Sequence, residues 1–303
     1  MNFLYFLENI RVPILNDFML AITYLGDEIA FLVVALILFW CCDKRTGYYL
    51  LSVGFLGTIL NQFMKLWFRV PRPWVLDENF TIIEQAREGA TGYSFPSGHT
   101  QSAVGTFGSI AYSFKNKVIR WLCSAVMILV PLSRMYLGVH TPLDVAVAVV
   151  MALFFVVVLK PIVFSKNRCV FPIFLGIMLA VSMGFLLFVE LYPFPTNIDP
   201  HNMASGLKNA YTLLGSLLGL VVVYAVDERF LHFSVRAIWW GQILKVVIGL
   251  TLVLLVKNGL RAPLDALLGS LAGRSVRYFL IVVAAGVVWP ATFQWFGKLG
   301  SKE

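Results

Sequence analysis

The sequence predicts an all-α, polytopic membrane protein of about nine transmembrane helices, and three observations carry that prediction. Of its 303 residues, 59% are hydrophobic and only 13% are charged, against roughly 45–50% and about 25% in soluble domains. Mean hydropathy is +0.81. The apolar residues fall in runs close to the roughly 20 residues a helix needs to cross a bilayer. A soluble fold has too little polar surface to cover so many apolar side chains, and a disordered chain would be far more polar. The formal net charge of +8 lies in short clusters between the runs rather than along a continuous basic face. That pattern expresses membrane orientation and excludes nucleic acid as a partner.

Residues 1–23 carry Glu8, Arg11, Pro13 and Asp17 among apolar positions and read as an interfacial amphipathic segment. They lack the basic start and small-residue cleavage site of a signal peptide. Spans are expected at 24–41, 47–67, 97–114, 118–139, 142–164, 169–190, 205–226, 235–256 and 274–297. The first five belong to a helical-bundle core over 24–165, and 166–303 holds C-terminal helices of no readable role. The longest polar stretch is 74–95, followed by the Pro-rich loop at 191–204.

Lys44, Arg45, Lys115, Lys117, Arg120, Lys160, Lys166 and Arg168 collect on one side of the expected bundle. Arg229, Arg236, Lys298 and Lys302 fall on that side by alternation, although the bias is weak in the last four helices. Basic loops stay in the cytoplasm, so the amino terminus is expected outside and the carboxyl terminus inside a cell membrane. Cys41, Cys42, Cys123 and Cys169 have no spacing that suggests a disulfide or a zinc site. Nothing in the chain sets an oligomeric state.

Three polar constellations interrupt the apolar pattern. Lys65 and, seven positions on, Arg72-Pro73 stand where the second span ends. Pro96-Ser97-Gly98-His99 opens the third, and Ser133-Arg134, His140 and Asp144 bridge the fourth and fifth. Helix alternation brings all three to one membrane face. Lys65, Arg72 and Arg134 supply enough positive charge for a phosphate dianion, with Arg suited to bidentate contact. Ser97-Gly98 at a helix amino terminus offers free backbone N–H groups. His140 and Asp144, four apart, share a face, so Asp144 can hold one ring nitrogen while the other attacks phosphorus. His99 is left as the acid that protonates the leaving oxygen.

These residues resemble the three-part signature of the type 2 phosphatidic acid phosphatase superfamily, which shares its helical core with vanadium haloperoxidases. The resemblance covers roughly residues 20–165 and implies a metal-independent phosphatase that forms a phosphohistidine on His140 and needs no cofactor. The layout is also similar to glucose-6-phosphatase and the sphingoid-phosphate phosphatases. The expected function is hydrolysis of a phosphomonoester or diphosphate of a lipid at the extracytoplasmic face. A phosphotransferase using the same intermediate, a non-catalytic lipid transporter or binding protein, and a soluble sugar phosphate as substrate remain open alternatives.

Loop 74–95 runs from Arg72-Pro73 to His99 and must pass the mouth of the site, so Trp74, Phe80 and Ile82 are expected in a substrate lid. The alternative is a solvated connector. Asp27 and Glu28, at the start of the first span, could face the site or the headgroups and are expected to be structural; Lys245 is a mid-span ion without a nameable partner, and His201 and His232 are expected in solvated loops.

Overall fold

A computed structural model describes residues 1–298, and among these no strand is formed. Two compact units divide the chain. The first comprises Met1–Leu32, Tyr49–Pro161 and Phe194–Gly206, and the second comprises Val33–Tyr48, Ile162–Pro193 and the chain from Leu207 onward.

The first unit is built from α1 (Asn2–Asn9), α2 (Pro13–Thr23), the start of α3 (Glu28–Ile37) and most of α4 (Lys44–Phe68). The short α5 (Pro73–Leu76), α6 (Gly98–Ser113), α7 (Lys117–Tyr136) and most of α8 (Pro142–Val163) complete it, with the first turns of α10 (Pro200–Val226). Several helices of this unit start at a capping residue or a proline. Ser97 caps α6, and Asn116 caps α7 by accepting from two backbone N–H groups. Pro13 and Pro73 stand in the first turns of α2 and α5, where a missing N–H costs nothing.

All nine expected spans contain helix, but nine membrane crossings are not what length and composition support. Six helical stretches are long and apolar enough: 117–136, 142–163, 170–191, 200–231, 239–268 and 270–297. Among the described residues, a pair bent by 53°, Pro13–Gly26 with Glu28–Cys42, makes the number seven if the pair is one broken span. The two remaining helices, α4 and α6, stand outside that set. α6 has 16 residues, too few to cross the hydrocarbon core. α4 has 25, but a polar stripe runs along its second half. A Cβ on Gly57 would meet the Gln101 side chain, Asn61 donates to the Pro96 carbonyl, and Lys65 donates to the Tyr93 carbonyl. Residues four apart share a helix face, so this face is polar because it meets the start of α6 rather than lipid.

The amino-terminal segment forms two helices instead of one, and α1 is held by protein contacts. Its Leu4 and Leu7 are buried with Phe80, Met135 and Val145. Tyr5 donates to Asp77 Oδ2 over 2.7 Å, Glu8 Oε1 accepts from the Thr81 N–H, and Arg11 Nη1 donates to the Thr81 carbonyl over 2.9 Å. The early half of loop 74–95 is thereby clamped between α1 and the end of α7. Phe80, expected in a lid, is only 3% exposed, packs edge-on to Tyr5, and has Ile82 against the same cluster. An aromatic ring surrounded by leucines is a core residue, so Phe80 is no part of an exposed lid, and Ile82 is half-buried against the same cluster.

Gly138 ends α7 with a φ of +83°, and a Cβ there would come 2.8 Å from Arg11 Nη2 and 3.0 Å from Phe80. Both the left-handed backbone and the crowding demand glycine. Gly138→Ala is expected to lower stability by about 1–3 kcal/mol, read as a fall in the melting temperature in detergent. An unchanged melting temperature would show that this turn relaxes freely.

In the second unit, α9 (Val170–Leu191) and the rest of α10 belong with α11 (Trp239–Gly259), α12 (Arg261–Leu268), α13 (Ser270–Val283) and α14 (Phe293–Lys298). Trp40, fully buried, donates to the Ala285 carbonyl over 2.9 Å, and Lys44 pairs with Asp227 at 2.6 Å. Lys245 acquires the partner that sequence did not name: its ammonium donates to the Val235 carbonyl over 3.0 Å and lies 4.3 Å from the centre of the Phe293 ring. A backbone carbonyl and an aromatic face together replace much of the lost hydration of a buried ammonium.

Candidate active site

The three constellations converge in the first unit. Arg72 is the last residue of the four-residue link between α4 and α5, and its guanidinium donates to three carbonyls. Nη1 donates to Val139 over 2.9 Å, Nη2 to Thr91 over 2.8 Å and Nε to Gly92 over 3.2 Å. Nη1 also lies 2.9 Å from His140 Nε2. A guanidinium only donates, so Nε2 must present its lone pair, and the ring proton of neutral His140 sits on Nδ1. On that side Asp144 Oδ2 is 3.4 Å away and Ser94 Oγ 3.5 Å.

Asp144 is itself firmly placed. Ser94 Oγ donates to its Oδ2 over 2.6 Å and the Thr141 N–H over 2.7 Å, while the Asp144 N–H donates back to Thr141 Oγ1 over 3.2 Å. The last two bonds form a reciprocal cap at the start of α8, with Pro142 in its first position. One carboxylate therefore both starts the helix and faces the imidazole. His140 and Asp144 are each about 1% exposed.

Arg134, in the last turn of α7 and 1% exposed, donates through Nη1 to Thr23 Oγ1 over 2.7 Å. Its Nε and Nη2 are buried without a hydrogen-bond partner. Two orphan donors on a buried guanidinium mark a place where an anion would be held. Lys65 is buried as well, within electrostatic reach of Arg72, Arg134 and Asp144. Ser97 caps α6 through its hydroxyl and anchors to α8 by donating its N–H to the Asp144 carbonyl over 3.1 Å. Gly98 begins α6, whose first N–H groups have no partner within the helix.

His99 Nε2 lies 2.7 Å from Asp27 Oδ1. Asp27, expected to be structural, thus touches a residue of the signature. Sequence reasoning missed Ser94, and it favoured a structural role for Asp27 over one facing the site. For Ser94 a signal existed in its place just before Pro96-Ser97, whereas no local pattern ties Asp27 to His99. Of the expected lid, only Trp74 is near the site, with its ring 5.8 Å from the Arg72 guanidinium and 5.2 Å from that of Arg87.

His140 lies in the link between α7 and α8. Burial first, then Arg72, Arg134 and Lys65, hold its imidazole well below the ordinary histidine range. Burial and these cations favour the neutral ring, whose Nε2 lone pair is turned to Arg72. Among the described residues, no group of three or more His, Cys, Asp or Glu side chains is placed to hold a metal ion.

Comparison with known proteins agrees with this geometry. Residues 45–168 match the PAP2 superfamily, and residues 211–302 match the transmembrane extension of PAP2 superfamily phosphatases. The chain is 32% identical over 142 residues to undecaprenyl-diphosphatase BcrC of Bacillus subtilis (strain 168), covering 46% of this chain and 70% of that protein. It is 30% identical over 149 residues to phosphatidylglycerophosphatase B of the same organism, covering 45% and 69%. Mouse (Mus musculus) sphingosine-1-phosphate phosphatase 1 is 26% identical over 285 residues, 84% of this chain and 62% of that protein. No solved structure matches. The signature residues that meet around His140 lie inside the matched stretch: the chain belongs to the PAP2 superfamily and is a membrane phosphatase.

Proposed function

We propose that the chain hydrolyses the phosphate of a lipid through a phosphohistidine on His140, at a site facing the extracytoplasmic side of a cell membrane. The observation that carries this reading is three buried cations, Lys65, Arg72 and Arg134, around His140 with a single buried carboxylate, Asp144. Buried charge without counter-charge is costly, and a bound phosphate dianion offsets it.

In the first step the Nε2 lone pair of His140 attacks phosphorus. The bond to the leaving oxygen breaks, and that oxygen takes a proton from His99. In the second, water attacks phosphorus, gives its proton to His99, and the phosphorus–nitrogen bond breaks to free phosphate and His140. Lys65, Arg72, Arg134 and the N–H groups at the start of α6, beginning with that of Gly98, stabilise the equatorial oxygens. Asp144 keeps the ring proton on Nδ1.

A lipid substrate is supported by the phosphatidylglycerophosphate and sphingosine-phosphate activities in the relatives' names, and by the exposed Tyr24, Leu25 and Ile29 next to Asp27. Residues 24–165 are the catalytic core in this reading, 1–23 an interfacial segment, and 166–303 membrane helices that extend it. A phosphate-release screen on purified protein, across lipid monophosphates, lipid diphosphates and glucose 6-phosphate, tests it. Vanadate should inhibit and EDTA should not. Preference for the sugar phosphate would remove the lipid.

Orientation is tested by thiol labelling in a background without the four native cysteines. A cysteine at exposed Asn79 or Glu88 should react with an impermeant reagent from outside, and one at exposed Lys166 only after permeabilisation. The reverse pattern would place the site in the cytoplasm.

A further inference from the structure

A pocket opens beside the proposed phosphate cradle, and Thr23, Asp27, Gln85, His99 and Arg134 are among the residues that line it. His99 and Arg134 give it one wall, so in the mechanism above it is the space on the acid's side of the reacting phosphorus. A leaving group departs into it. Arg134 is the one cation among the described residues that line it, and that guanidinium also serves the reacting phosphate. Asp27 is the one acid there, its side chain 35% exposed and 2.7 Å from His99.

The backbone delivers Asp27 to this point deliberately in a physical sense. It stands at the break of the bent pair Pro13–Gly26 and Glu28–Cys42, with its own carbonyl accepting from the Phe31 N–H to start α3. The preceding Gly26 has no room for a side chain: a Cβ would lie 2.7 Å from the His99 carbonyl oxygen and 2.9 Å from Val130. Glycine lets the break press against the first turn of α6, and the next side chain then reaches the His99 ring.

We infer that Asp27 sets the substrate class, making the site selective for phosphomonoesters over diphosphates by standing where the second phosphate of a diphosphate would lie. In a monoester the leaving oxygen belongs to an alcohol, which carries no charge and can also donate to a carboxylate once protonated. In a diphosphate it belongs to another phosphate, whose charge would face Asp27 with no further cation to offset it. The inference rests on the mechanism above for the side on which the leaving group departs. Asp27 is a positioning and specificity residue here: it orients His99 and repels an anion, and forms no bond to phosphorus.

The test uses purified full-length protein with farnesyl phosphate and farnesyl diphosphate, which share a tail. Wild type should show a higher kcat/KM for the monophosphate. Asp27→Asn should shift the monophosphate-to-diphosphate ratio towards the diphosphate by about tenfold or more, a change of about 1.4 kcal/mol in discrimination. Asp27→Glu, which restores the charge, should keep the wild-type ratio. A purely structural role would lower both substrates equally and leave the ratio unmoved, and that result overturns the inference. A wild type that prefers the diphosphate overturns it without any variant, so a misfolded Asp27→Asn does not protect it. Retained hydrolysis in His140→Ala would instead sink the phosphohistidine mechanism, a failure visible whatever the ratio shows.

Discussion

His140→Ala is expected to lower kcat by at least about 10⁴-fold, the scale seen when a covalent nucleophile is removed, while the protein remains folded. The side chain is buried, but its loss leaves only one Arg72 N–H and the Asp144 carboxylate partly unpaired, and each keeps other bonds. A companion variant separates the two histidines. His99→Ala should still form the bond between His140 and phosphorus when the leaving group is good, but should break down slowly because no base receives the proton of water. A phosphorylated protein that is labile in acid and stable in base should therefore accumulate in His99→Ala and be absent in His140→Ala. Hydrolysis that survives in His140→Ala would end the nucleophile assignment. The pH dependence carries a sign. Because burial and three cations hold the His140 pKa below 6.5, the ring stays neutral as pH falls through 6.5. The acid limb of kcat/KM belonging to the nucleophile must therefore lie below that value.

The second large effect is expected at Asp144. Asp144→Asn keeps the volume and can still accept from Ser94 and from the Thr141 N–H, so α8 should start as before. What it loses is the negative charge that fixes the His140 proton on Nδ1. The amide oxygen that takes the place of Oδ2 keeps Ser94 and Thr141 but is neutral, so it holds the Nδ1 proton, and the positive ring formed on attack, far less strongly. A loss in kcat of about 10³–10⁴-fold is expected, comparable to breaking the same kind of pair elsewhere, with KM little changed because the three cations still bind phosphate. Ser94→Ala should cost much less, on the order of tenfold, since Thr141 and His140 remain on the carboxylate. Rates for the two variants, measured on one lipid substrate with melting temperatures alongside, check the order. Equal losses would mean that Ser94 takes a direct part in the chemistry.

The membrane character, the helices and most of the site were legible in the chain because each rests on a local pattern. Apolar runs of bilayer length mark helices wherever they pack. Lys65, Arg72, Ser97, His99, Arg134, His140 and Asp144 sit at helix ends whose alternation alone brings them to one face. The reciprocal cap of Thr141 and Asp144 was also there to be seen, as a threonine three residues before an acid with proline between them. The count of crossings was less secure for a physical reason. An apolar helix facing protein and one facing lipid look alike, and α4 and α6 differ from the others by a polar stripe and by length.

Only the tertiary structure decided which side chains of distant segments meet. Phe80 and Ile82 had the composition of an interfacial lid, yet α1 folds over them because Leu4, Leu7 and Met135 bury the same apolar surface at no cost in exposed backbone. Lys245 found a carbonyl and a ring from parts of the chain that no helical period links to it. Asp27 reached His99 because Gly26 let a helix break approach α6. Helical periodicity encodes faces within one element, so it carried the residues proposed to bind phosphate. The angle at a break and the closeness of two backbones are set by packing between elements, and those decided what stands beside the leaving group.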